Sequence, residues 1–312
     1  MDAVAGLLDG PRARGAFLLR TTLDPPWSLR IEDEAPLTLV AVVRGDTWMI
    51  PDDAPPTRAG AGDVLVIRGP EPYTMADAPG REPQVFVDPD QRCRTRDGRD
   101  LAEEMSQGVR AWGNSPNGAS VMLIGTYLLE GEVSGRLLRS LPPLVALRPG
   151  DWQSGLVDLL GEEIGRDAPG QEAVLDRLLD LILIAALRAW FARPEAQAPG
   201  WYRAHGDPVV GRALRAIHHR PAHPWTLDSL AREAGASRAT LSRRFTDLVG
   251  EPPMAFLAGW RIALAADLLR EPGATIGSVA AQVGYGSPFA LSAAFKRVRG
   301  VSPRRYLAAS AG

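Results

Sequence analysis

Residues 226–257 read TLDSLAREAGASRATLSRRFTDLVGEPPMAFL, and residues 275–307 read TIGSVAAQVGYGSPFALSAAFKRVRGVSPRRYL. The second stretch repeats the first. Thr226, Leu227, Ser229, Ala231 and Gly235 return 49 positions later as Thr275, Ile276, Ser278, Ala280 and Gly284. One residue then enters the turn, and Ser237, Leu241, Ser242, Phe245, Gly250, Pro253 and Leu257 return 50 positions later, from Ser287 to Leu307. A correspondence of this length encodes one structural unit twice.

Each copy reads as helix, turn, helix. Thr226 and Thr275 are expected to cap the first helix with a side-chain oxygen. Leu227, Leu230, Ala231 and Ala234 form an apolar stripe at helical spacing. Gly235 and Gly284 stand where that helix ends, because glycine takes left-handed backbone angles without a Cβ clash. Ser237 and Ser287 cap the second helix, with Leu241 and Phe245, or Leu291 and Phe295, facing inward. Two short helices joined by a tight glycine turn make a helix-turn-helix, whose second helix enters the DNA major groove.

Residues 205–307 resemble the DNA-binding domain of AraC/XylS-type transcription regulators. The stretches LAREAGASRATLSRRF, VGEPPMAFLAGWRIALAADLL and VAAQVGYGSPFALSAAFKRVRGVSPRRYL correspond to its first motif, its linker helix and its second motif. The resemblance implies base-facing roles for Ala239, Ser242 and Arg243, next to the cap Ser237 and to Arg238. Arginine forks onto guanine O6 and N7, each such pair giving about 1–3 kcal/mol of discrimination, so Arg243 is the expected reader. After the Ser287 cap, the second motif offers Pro288, Phe289, Ala290, Ser292 and Ala293 at the matching positions. Ala293 stands where the family often carries a polar or arginine reader, and Phe289 is read either as packing on a thymine methyl or as core. Lys296, Arg297 and Arg299 follow and are read as phosphate contacts, which supply affinity without sequence information. The expectation is unequal readout, the first motif specifying and the second anchoring. A helix at 253–270, with Leu257, Trp260, Leu264 and Leu268 on one stripe, is expected to fix both motifs.

Charge supports this division. The 312-residue chain carries a net charge of −2. Residues 201–312 nevertheless hold 15 basic against 7 acidic side chains, leaving 20 basic and 30 acidic in residues 1–200. A basic end on an acidic body fits a nucleic-acid-binding module joined to a domain with another task. The single cysteine, Cys93, excludes an internal disulfide framework and suits a reducing compartment. Residues 1–16 are broken by Asp, Gly, Pro and Arg and do not read as a signal peptide. No apolar run approaches the ~20 residues that span a bilayer, so a soluble cytoplasmic protein is expected.

Upstream, residues 17–20, 28–31, 38–43, 47–50, 64–67 and 84–87 read as short strands separated by turns, the pattern of a small sandwich or barrel. The order WSLRI, LVAVVRGDTWMIPDD, AGAGDVLVIRGPEPYTMAD is similar to the cupin-like sensor domain found ahead of this DNA-binding type, over roughly residues 10–145. All four histidines lie at 205–223, with Tyr73 roughly where the sensor family often has one, so a metal-dependent cupin enzyme is not expected. His218, His219 and His223 lack acidic or thiol neighbours and are read as surface residues. Residues 88–118 read as a loop with a short helix around 101–109. Strand character returns at 120–129, and LLRSLPPLVALRP (137–149) matches the family's close of the barrel. Helices are expected at 154–164 and 171–193. The second carries Leu175, Leu178, Ile182, Ala185 and Ala189 along one face and is apolar all round at 181–187. Its face is read as a dimer seam or as packing on its own barrel. RPEAQAPG (193–200) is read as the interdomain linker, after which Asp207 and Pro208 start a helix containing Val210, Leu214 and Ile217.

The expected architecture is thus α+β: a cupin-like β-barrel with flanking helices, then an all-α double helix-turn-helix. The expected divisions are a sensor at 1–150, a helical dimerisation or linker region at 151–200, and a DNA-binding domain at 201–312. Trp27, Arg30, Trp48 and Tyr73 are the candidate effector contacts. Cys93, flanked by Arg92 and Arg94, is a redox candidate, since cationic neighbours favour the thiolate. The expected partners are double-stranded DNA, a small effector, a second copy of the chain and RNA polymerase, with no cofactor, no metal and no membrane. The competing function is a constitutive DNA-binding factor whose barrel serves only protein contacts.

Overall fold

The computed structural model describes residues 17–127, 131–152, 155–166, 168–193, 196 and 198–310. Parts of the expected linker at 193–200 and the N-terminal residues read against a signal peptide lie outside them. By packing, the chain falls into two units, one holding residues 11–129 and 141–196, the other residues 130–140 and 197–312.

The first unit is two facing sheets rather than one closed barrel. Its strands are β1 (Phe17–Leu23), β2 (Ser28–Ile31), β3 (Leu37–Arg44), β4 (Asp46–Pro51), β5 (Thr57–Gly60), β6 (Val64–Arg68), β7 (Tyr73–Ala76), β8 (Val85–Val87), β9 (Cys93–Arg94), β10 (Ser106–Gly108), β11 (Ala111–Trp112), β12 (Ser120–Tyr127) and β13 (Leu144–Leu147). One sheet runs β10-β11-β1-β12-β3-β6-β13 and the other β5-β4-β7-β2-β8-β9. Pairing is antiparallel except for β1 with β11 and β2 with β8. Val40 and Val42 of β3, Leu29 of β2, Met75 of β7 and Met122 of β12 meet between the sheets.

The central strand β3 is buried over Leu37–Val42, without the polar alternation of a solvated face. Strands covered on both sides read as continuous apolar runs, and here helices supply the second cover. The helix Gly155–Glu163 packs against β3, and the helix Gln171–Phe191 packs against it in turn. The Tyr127 hydroxyl donates to the Leu179 carbonyl at 3.0 Å. Gly125 lets Leu179 lie so close that an added Cβ would fall 2.6 Å from its methyl. The long helix buries Leu175, Leu178 and Ile182 as expected, while Leu181 and Val174 remain on the surface.

Two stretches depart from the sequence reading. No helix forms at 101–109: residues 88–118 hold β9, β10 and β11, with Leu101 and Trp112 buried in the core. Between β12 and β13 the chain forms a helix, Glu132–Leu138, which belongs to the second unit.

That second unit is helical. Leu227–Glu233 and Arg238–Val249 form the first helix-turn-helix, Ile276–Val283 and Pro288–Arg299 the second, and Pro253–Leu268 bridges them. The bridging helix is not buried along the single stripe expected. Phe256, Leu257 and Trp260 enter the first motif's core, Ile262, Ala265 and Ala266 enter the second's, and Leu264 touches both. Each motif therefore hangs on its own face of one rigid element. Phe245 and Phe295 are fully buried in their respective cores, each contributing about 1.5–3 kcal/mol by burial.

Candidate functional site

Local hydrogen bonds build the two motifs alike. Thr226 Oγ1 accepts from the Ser229 amide at 3.1 Å while Ser229 Oγ accepts from the Thr226 amide at 2.9 Å. Thr275 and Ser278 repeat this reciprocal cap at 3.0 and 3.1 Å. The first helices end at Gly235 (φ 68°) and Gly284 (φ 84°). Past each turn, the Ala236 amide donates to the Ala231 carbonyl and the Tyr285 amide to the Ala280 carbonyl, closing the helix ends as a left-handed glycine cap does. Ser237 Oγ then accepts from the Thr240 amide at 3.1 Å, and Ser287 Oγ from the Ala290 amide at 3.2 Å. These caps leave the first turns of both second helices on the surface.

What the second helices present along their length differs between the motifs. In the first, Ser237, Arg238, Ala239 and Arg243 are exposed and Ser242 half-buried. Arg238 lies 3.1 Å from Asp228, an exposed pair that competes weakly with any ligand. Arg244 belongs to the fold, bound to Asp207, whose carboxylate also accepts from the Val209 and Val210 amides at 2.9 Å. In the second, Ser287 and Ser292 are half-buried, Lys296 and Arg297 are exposed, and Phe289 is 87% exposed at the helix start.

Arg299, read from the sequence as a phosphate contact, is engaged within the second unit. Its guanidinium lies 2.6 Å from Glu132 and over the Tyr306 ring. The Tyr306 hydroxyl donates to Glu132 Oε1 at 2.7 Å. Burial alone would raise the Glu132 carboxyl, but the hydrogen bonds from Arg299 and Tyr306 hold it below its ordinary value. On the same short helix, Val133 enters the first motif's core and Arg136 lies over Phe256 and Trp260, with burial lowering its guanidinium from the usual value. The Glu132–Leu138 helix thus touches both motifs.

His218 is also not a surface residue: it packs edge-on against Trp260, ring centroids 4.5 Å apart. Among the described residues no group of three or more His, Cys, Asp or Glu is placed to hold a metal.

Between the sheets of the first unit lies a cavity of about 220 Å³. Tyr73 lines it, hydrogen-bonded to the Thr38 side chain, and burial with nearby Asp33 raises its phenol well above the ordinary value. Trp27, Arg30 and Trp48 do not line it. Side chains alternate along a strand. Leu29 and Met49 face the core, so Arg30 and Trp48 face outward. Arg30 forms a bidentate pair with Asp52 at 2.5 and 2.7 Å, which raises the guanidinium and lowers the carboxylate. Trp27 is core, 1% exposed.

Cys93 does line the cavity, but its environment is the reverse of the one read from its neighbours. Burial, then Asp100 and Asp88, push the thiol up to about 11. Arg92 and Arg94 are turned to Asp90 and Asp88. Sequence reasoning missed Thr21 and Trp112, which also line the cavity. Trp112 fell in the stretch read as a loop. The alternation of Leu19 and Thr21 in β1 was a signal available for Thr21.

Residues 2–192 match a family model described as Cupin, and residues 230–309 one described as Helix-turn-helix domain. A putative AraC-like transcription regulator of Streptomyces antibioticus is 32% identical, with 98% of each chain covered. Another from Streptomyces lividans is 33% identical, again with 98% of each covered. Among solved structures, the DNA-binding domain of AdpA in complex with a target DNA is 35% identical, covering 33% of this chain and 93% of that one, with a TM-score of 0.31.

Proposed function

The chain belongs to the AraC-like transcription regulators, and on that footing we propose that it reads duplex DNA through two unequal motifs while its cupin-like domain senses a small effector. The observation that carries the first part is the contrast between the capped helices. One exposes Arg243 beside Ala239 and Ser242, and the other exposes Phe289 with Lys296 and Arg297. An exposed arginine midway along the second helix suits guanine recognition, whereas lysine and arginine about a turn further on suit phosphates. Phe289, with no polar group, suits a thymine methyl.

The cavity favours sensing over a domain used only for protein contacts, because a buried apolar space with a few polar groups is how small-molecule sites are built. An effector acts only through different affinities for DNA-competent and incompetent states. The exposed Leu159, Val174 and Leu181 on the helices of the first unit support a second copy of the chain as partner. The division into sensor, dimerisation helices and DNA-binding domain follows this reading, as does a cytoplasmic, non-enzymatic protein. RNA polymerase is the further partner if it activates. Among the described residues no helix is long and apolar enough to cross a membrane.

The test is selection of duplexes from a random pool by the full chain, followed by affinity measurements at several salt concentrations. A recovered consensus with salt-dependent binding supports the reading. Enrichment of no sequence overturns it.

A further inference from the structure

The cavity also carries information about what fills it. Most of its wall is apolar, formed by side chains such as Leu29, Val40, Met75 and Met122. Two polar groups in that wall are unlike the rest. Thr21 is 1% exposed and Trp112 7%, and neither the Thr21 hydroxyl oxygen nor the Trp112 indole nitrogen has a hydrogen-bond partner among the described residues. They are also neighbours: in the parallel ladder between β1 and β11, Thr21 stands directly opposite Trp112. Directly paired residues share a sheet face, and both line the same cavity. Buried polar atoms are nearly always satisfied, so two adjacent donors left without a partner mark a place for an acceptor. An indole nitrogen can only donate, and a hydroxyl can donate as well as accept.

Charge narrows the choice. Among the described residues no Arg, Lys or His lines the cavity, and Asp33 is its one carboxylate. An anion would be taken from water without a counter-charge and set near a carboxylate, which is costly. A cation would find Asp33 already engaged, since its oxygens accept from the Ala35 amide at 3.1 Å and the Gln91 side chain at 3.2 Å. Size narrows it further. A dry cavity of ~150 Å³ holds benzene, so about 220 Å³ suits a ring bearing a short substituent.

We infer that this cavity takes an uncharged, mostly apolar molecule of single-ring size with one acceptor oxygen, held between the Thr21 hydroxyl and the Trp112 indole N–H. The inference rests on the sensor reading of this domain and assigns the ligand class to it. Cys93 contributes wall, not nucleophile.

Four probes of similar size separate the alternatives when titrated calorimetrically into the full chain. Acetophenone supplies a neutral acceptor, α-methylstyrene replaces its oxygen by CH₂, benzoate adds negative charge and 1-phenylethylamine positive charge. Acetophenone is expected to bind about tenfold more tightly than α-methylstyrene, roughly the worth of one neutral hydrogen bond, and both charged probes more weakly than either. Thr21→Val, nearly isosteric, should shrink the tenfold gap, and Met75→Trp should fill the cavity and weaken all four. Equal binding of acetophenone and α-methylstyrene overturns the acceptor assignment, and tighter binding of either charged probe overturns the neutral class. Binding of none, in a chain that keeps salt-dependent duplex affinity, overturns the ligand class and leaves the regulator reading standing. Loss of duplex selectivity with the probe ranking intact does the opposite.

Discussion

Asp267, on the bridging helix, accepts hydrogen bonds from the backbone amides of both Glu132 (2.6 Å) and Val133 (3.1 Å). A carboxylate more than a hundred positions away in sequence thereby caps the Glu132–Leu138 helix, supplying acceptors its first turn lacks. Burial raises the Asp267 carboxyl above its ordinary value, and these two amides pull the other way. Asp267→Ala should cost about 0.5–2 kcal/mol, the usual worth of a cap. Hydrogen exchange would show it as faster exchange at 132–138 with the strands of the first unit unchanged. Unaltered protection there would contradict the cap.

Arg243 and Lys296 should differ in kind. Arg243→Ala is expected to lose about 1–3 kcal/mol of discrimination at one position of the selected site. Lys296→Ala should weaken all duplexes alike and reduce the slope of log affinity against log salt by about 1. Binding selections on the two variants decide this, and identical profiles would end the proposed division of labour.

Phe289 is 87% exposed, so Phe289→Ala should change folding stability by less than about 0.5 kcal/mol. Duplex affinity should nevertheless fall. Thermal melts beside duplex titrations separate the two effects, and a variant that binds as tightly as the parent removes Phe289 from the interface.

Cys93 should be a slow thiol. Its folded-state pKa is raised to about 11, so the protonated form is kept through neutral pH, and the thiolate that reacts grows only as pH climbs toward that value. Alkylation by iodoacetamide should be far slower near neutral pH than for an exposed thiol and still rising between about pH 9 and 10. A plateau near neutrality would show a low-pKa, reactive cysteine instead.

Gly284 and Gly250 share left-handed backbone angles, φ 84° and 94°, but not surroundings. A Cβ at Gly284 would meet Ala222 backbone atoms at 2.6 Å, whereas nothing lies within 4 Å of one at Gly250. Gly250→Ala should cost about 1 kcal/mol of backbone strain, and Gly284→Ala clearly more. Denaturant melts that ranked them equally would refute the crowding.

The second unit was largely legible in sequence because its signals are local. Caps at Thr226, Ser237, Thr275 and Ser287, glycines at the turns and a buried Phe in each second helix all act within a few residues. The bridging helix was found, but its two buried faces were not, since which side of Leu264 meets which motif is a tertiary fact. The first unit was read less completely. β5, TRAG, has no β-branched run and gains its strand form from β4. The effector contacts turned on a one-residue alternation: Arg30 and Trp48 are aromatic or basic as a binding residue should be, yet their neighbours Leu29 and Met49 take the inward positions. The short helix at 132–138 has a glycine inside it and is held by Asp267, Arg299 and Tyr306, none of which a local pattern reveals.

That insertion has a topological consequence. Because residues 130–140 pack with 197–312 while the chain on both sides of them packs elsewhere, the backbone crosses between the units three times among the described residues. Nicking the chain at 193–200 separates the two fragments covalently but leaves residues 130–140 on the N-terminal one, so their non-covalent packing with 197–312 is expected to keep the fragments associated after proteolysis. A C-terminal cassette begun at residue 201 would leave Val133 and Arg136 behind and uncover Phe256 and Trp260. Domain swaps among relatives should carry the insert with the DNA-binding half.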